Sequence, residues 1–214
     1  MIPSAKREFD SQFWIAFILW LAGQLAALLL SAARIALWAR APRAGEQLAL
    51  PMLLAFQVGV SSLIFPNLLR TWRQVILVIA SAWPLAQLAS YLGDADAGAL
   101  IRGEAYVCTW LITLHLWRRT IPYPRDQLSL TAAVSLLSIG GPILWYLRAD
   151  FIADSASQTP NSFAIFGPLC GAIAQSSAPY SLASWIEIAI IFLIAAFALA
   201  GRMLIGRWSQ QVIH

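Results

Sequence analysis

Six apolar stretches separated by short polar loops run along the chain, and the length of each predicts a membrane-crossing helix. A bilayer core takes roughly 20 predominantly apolar residues per helix, and stretches near that length fall at about 13–38, 48–69, 75–92, 100–121, 127–147 and 183–206. The fourth is the shortest signal, because its strongly apolar centre runs only from Ala105 to Trp117. It fills a span if the helix begins near Leu100 and carries Arg102 and Glu104 at the headgroup level.

Loop residues fall where hydropathy ends the helices. Gly93 and Asp94 predict a stop after the third helix, Pro122 and Pro124 end the fourth, and Asp126 is a candidate N-cap for the fifth. Within the fifth stretch, Gly140, Gly141 and Pro142 combine a missing backbone donor with two residues lacking side chains. They predict a packing kink or, as the sharper reading, a hinge of the kind that lines a transporter's substrate site.

The segment at about 148–182 departs from this regularity, since it exceeds 30 residues where the other loops are short. Its run from Phe163 to Ala174 (FAIFGPLCGAIA) is apolar but too short to span, and Gly167, Pro168 and Gly171 interrupt it. A re-entrant or interfacial stretch is the expectation, acting as a lid on the bundle or as a docking surface.

Basic residues orient the bundle. With the N-terminus in the cytoplasm, Lys6, Arg7, Arg70, Arg73, Arg118, Arg119, Arg125, Arg202 and Arg207 fall inside, whereas Arg40, Arg43, Arg102 and Arg148 fall outside. The reading is an all-α integral membrane protein, a polytopic bundle of six transmembrane helices forming one domain over residues 1–214, both termini cytoplasmic. Trp14, Trp38, Trp72, Trp117, Trp145, Trp185 and Trp208 lie at or near span ends, where an indole finds both apolar and polar surroundings.

Composition agrees with lipid as the solvent: 60% of residues are hydrophobic and 11% charged, against about 25% charged in soluble domains, and the mean hydropathy is +0.71. The net charge of +4 is scattered over several loops, which reads as orientation and attraction to anionic lipid and excludes a nucleic-acid surface. One lysine against thirteen arginines suggests a GC-rich bacterial genome and hence a bacterial inner membrane. Lys6 and Arg7 before an apolar run resemble a leader, but the run extends past Leu30 and Pro42 follows the nearest small-residue site, so a retained first helix is expected.

Polar groups at defined depths are the remaining candidates. Arg34 and Glu187 each fall roughly 5 Å below the outer interface and could form an intramembrane ion pair. Gln24 and Gln57 stand mid-span on consecutive helices and could share a hydrogen bond. Cys108 and Cys170 fall on the same side, a candidate disulfide if that side is oxidising. Asp150 and Asp154, at helical spacing, form a weak candidate cation site.

Catalytic motifs are absent from the sequence: no G-x-S-x-G, no G-x-x-x-x-G-K-[ST], no H-E-x-x-H. With His115 and His214 as its histidines, the chain implies no haem, metal or other cofactor. The expected function is therefore non-catalytic: an accessory or structural subunit of a larger membrane assembly, its partners being the lipid bilayer and other membrane subunits or copies of itself. A small-solute or lipid transporter is the alternative, and an intramembrane enzyme using outer carboxylates the second.

Overall fold

The computed structural model describes residues 4–37, 49–121, 124–151, 167–177 and 182–211, and among them every regular element is a helix. Six are long: α1 (Ser4–Leu37), α2 (Ala49–Ile64), α3 (Trp72–Leu92), α4 (Ala97–Thr120), α5 (Pro124–Phe151) and α7 (Leu182–Gln211); α6 (Pro168–Ser177) is a ten-residue helix between the last two. Two stretches, Ser11–Ala33 and Trp72–Leu92, are long and apolar enough to cross a membrane by themselves; Ala49–Ile64 and Trp185–Gly201 are apolar but shorter.

Local chemistry explains the boundaries. Pro66 cannot continue α2, so the chain tightens into a single 3-10 turn over Phe65–Asn67. At the start of α3, Thr71 and Gln74 satisfy each other's backbone donors, with Gln74 Oε1 accepting from the Thr71 N–H at 3.1 Å and Thr71 Oγ1 accepting from the Gln74 N–H at 3.4 Å. Gly93 caps the end of α3, but the left-handed residue is Asp94, at φ 47°. Asp96 then opens α4 by accepting from the Gly98 N–H at 3.0 Å. One expectation is corrected: α5 begins at Pro124, so Asp126 lies inside its first turn and is not the N-cap. Proline at a first helical position loses no intrahelical bond, which is why the helix starts there.

Packing follows from which faces are buried. On α1 the buried positions Phe13, Phe17, Trp20, Gln24, Leu28 and Ser31 recur every three or four residues and form one seam, while Ile15, Ile18, Leu19, Leu25, Leu29 and Leu30 are exposed. An outward face made of large aliphatic side chains is what a lipid-facing helix presents.

α4 is the central helix, packed against α2, α3, α6 and α7. Glycine permits its closest approach: a Cβ on Gly103 would run into the Leu54 side chain of α2. Further along, the Trp110 indole N–H donates to Ser62 Oγ at 2.9 Å, so α2 and α4 run in the same direction at matched levels.

α6 packs on α2, α4 and α5. Gly59, ten residues or about 15 Å into α2, faces Leu169, whose Cδ2 would lie 3.0 Å from a Cβ there. At the other end the Gln175 carbonyl reaches Arg102, near the start of α4. α6 therefore begins about halfway along the bundle and runs back toward the end where α2 and α4 start. Pro168 occupies its first turn and Gly171 lies within it, so neither interrupts the helix. The sequence from Ile152 to Phe166 lies outside the described residues.

Candidate polar site between α4, α6 and α7

Arg102 and Glu104, near the start of α4, are covered by neighbouring helices. They are 2% and 0% exposed, because α4 is packed on by α2, α3, α6 and α7. The Arg102 Nε–H donates to the Gln175 carbonyl of α6 at 3.3 Å. The Gln175 amide in turn donates from Nε2 to Glu187 Oε2 of α7 at 3.0 Å. Three helices are thereby joined through one polar chain, Arg102 to Gln175 to Glu187. Tyr106, one turn after Arg102, is buried within electrostatic reach of Glu187 and Cys170.

Glu104 stands apart from that chain. Both carboxylate oxygens are buried and have no hydrogen-bond partner among the described residues. Cys108, one helical turn on, lies within electrostatic reach of it.

A second polar contact sits deeper. Gln57 Nε2 donates to Gln24 Oε1 at 2.7 Å and also approaches the Ala82 carbonyl at 3.4 Å, tying α2 to α1 and α3. Both amides are fully buried. Replacing Gln57 by leucine strands the Gln24 amide and replacing Gln24 leaves Gln57 with the Ala82 carbonyl alone, whereas replacing both removes the need for a partner. Each single variant is expected to lose about 0.6–2 kcal/mol and the double variant less than the two losses combined, read as melting temperatures in a double-mutant cycle. Strict additivity would show that the bond contributes nothing.

The other candidates fall out as follows. Glu187 engages Gln175, α7 packs on α4, and α1 packs on α2 and α3; the Arg34 side chain lies outside the described residues. Cys108 and Cys170 are both free thiols, Cys170 buried and Cys108 half-buried. α5 continues as helix through Gly140, Gly141 and Pro142, and among the described residues a Cβ on Gly140 would meet nothing within 4 Å. Asp154 and the Asp150 side chain lie outside the described residues; among those described, no three His, Cys, Asp or Glu side chains converge as metal ligands.

His115, eleven residues or about 16 Å along α4 from Glu104, belongs to the opposite end. It is buried, shares a hydrogen bond between Nδ1 and the Leu69 carbonyl at 2.9 Å, and packs on the Trp72 ring at 4.5 Å.

Sequence reasoning missed the Arg102–Gln175–Glu187 chain, although one signal pointed to it. Residues two apart on a helix project about 200° from each other, so Arg102 and Glu104 cannot both face the same polar surface. The chain matches no family model, no curated protein and no solved structure.

Proposed function

We propose that the chain is an integral membrane protein in which α1 to α5 and α7 cross the bilayer, both termini are cytoplasmic, and α6 enters from the outer side without crossing. The alternation of arginine-rich inner loops supports that orientation, and the aliphatic outward faces of α1 and α7 suit lipid. Non-spanning helix at membrane depth is tolerated where protein buries it, and α6 meets that condition: Ala172, Ala174, Gln175 and Ser176 are all buried.

Its function is to bind and pass a small polar solute or ion at the outer half of the bundle. The observation that carries this reading is the polar chain of buried Arg102, buried Gln175 and half-buried Glu187 where α4, α6 and α7 meet. Charged groups inside a membrane are costly, and they mark substrate and ion pathways. A half-length helix contributing one wall is the arrangement that transporters with discontinuous helices use. The accessory-subunit reading rests on the apolar outer faces, which lipid covers equally well, and it gives the buried charges no task.

Native mass spectrometry of the gently extracted protein, paired with a thermal-shift screen of small polar solutes, tests the proposal. The expected result is a monomer or homo-oligomer whose melting temperature a small solute raises, with the shift lost in Glu187→Gln. Stoichiometric foreign subunits and no solute-dependent shift would overturn it in favour of the subunit role.

A further inference from the structure

We propose that Glu104 is a proton-binding site whose carboxyl is neutral at rest. The inference needs only the packing of α4 and goes beyond the solute reading above. Glu104 is 0% exposed, and neither oxygen has a hydrogen-bond donor among the described residues. An ionised carboxylate in that position would have exchanged its hydration for nothing, which proteins avoid by pairing, metal coordination or neutralisation.

Pairing within the cluster is ruled out by direction. Arg102 is the nearest cation along α4, yet it lies about 200° around the helix, and its Nε–H goes to the Gln175 carbonyl. The Gln175 amide group donates to Glu187. α2, which Gly103 holds close to α4, brings no ionisable side chain to this level; its polar groups are Gln57, Ser61 and Ser62, all engaged in hydrogen bonds of their own. Cys108 is the thiol one turn away, a weak donor that does not supply positive charge.

The two carboxylates of the outer half are thus differentiated by their surroundings. Glu187 is half-buried and accepts a hydrogen bond, and so can remain ionised beside the Arg102–Gln175 chain. Glu104 is left to a small cation that needs no further ligand from the protein, and a proton meets that requirement with one covalent O–H bond. Its place about 10 Å from the start of α4 keeps it near the outer end, so that the proton can exchange with that side.

Two measurements test this on the full-length protein in phospholipid vesicles. The first is the infrared carbonyl band of a protonated carboxylic acid, recorded for the wild type and for Glu104→Gln. The second is modification by the lipid-soluble dicyclohexylcarbodiimide, located by peptide mass spectrometry. In that reaction the carboxylic proton passes to a carbodiimide nitrogen, the carboxyl oxygen bonds to the central carbon, and the adduct rearranges to an N-acylurea without a leaving group.

The expected results are a carboxylic-acid band that Glu104→Gln removes and a carbodiimide adduct that maps to Glu104. Glu104→Gln, a neutral isostere, is expected to keep the wild-type melting temperature, so that loss of the band is read on folded protein. An identical band in the variant, or no adduct at Glu104, would overturn the proposal. A Glu104→Gln protein that melts as low as Glu104→Ala would also overturn it, since the charged form would then be holding the fold.

Discussion

Arg102→Ala is expected to destabilise the bundle by roughly 3 kcal/mol or more and to release α6 from α4. The guanidinium is 2% exposed and holds the Gln175 carbonyl through Nε. Truncation removes a hydrogen bond made by a charged donor, about 1.5–3 kcal/mol, and leaves the cavity of a long buried side chain, about 2–5 kcal/mol when such a site cannot collapse. It also unsettles the next link, because Gln175 is the residue that binds Glu187.

The loss should appear locally before it appears globally, since a ten-residue helix has few intrahelical hydrogen bonds of its own to resist opening once a tertiary anchor is lost. Cys170 reports on this directly: it lies on α6, is free, and is 5% exposed. In a Cys108→Ser background, Arg102→Ala is expected to accelerate maleimide modification of Cys170 at least tenfold, the change that a loss of about 1.4 kcal/mol in local opening energy produces. Arg102→Lys keeps the charge but not the fixed Nε–H direction and should fall between. An unchanged rate with a lowered melting temperature would show that Arg102 supports the bundle at large and does not anchor α6.

The contrast between Arg102 and the glutamine pair shows what this sequence reveals. Depth is legible, because a residue's distance from the end of an apolar run fixes its height at 1.5 Å per residue. Gln24 and Gln57 stand at similar heights on consecutive helices, which suffices to bring two amides together when those helices pack. Azimuth is not legible without the neighbours. Arg102 and Glu104 stand near the start of their apolar run, but α4 is central, and only its contacts with α2, α6 and α7 turn that position into burial.

The short helix carried a similar ambiguity. Gly167, Pro168 and Gly171 read as interruptions, yet a proline in the first turn starts a helix as readily as it stops one, and glycines make room where another helix comes close. The Asp126 cap failed for the same kind of reason: spacing alone did not fix the register in which Pro124 begins α5.

Trp20 gives the sharpest separation between volume and polarity. It is fully buried on the α1 seam, follows Phe13 and Phe17 at helical spacing, and meets Phe65 of the 3-10 turn edge-on at 5.6 Å. Its indole N–H has no hydrogen-bond partner among the described residues, so the ring acts there as hydrocarbon and also bears a desolvated donor. Trp20→Ala is expected to cost about 3–5 kcal/mol, the range for emptying a buried aromatic site. Trp20→Phe keeps most of the ring contact and removes the orphan donor, whose burial is itself unfavourable by about 1–3 kcal/mol, so its loss should be well under half that of alanine. Thermal melting of both variants in the same detergent decides the matter. If phenylalanine proves as damaging as alanine, the N–H has a partner in the membrane, and the seam between α1 and the Phe65 turn is held by a polar contact and not by ring packing alone.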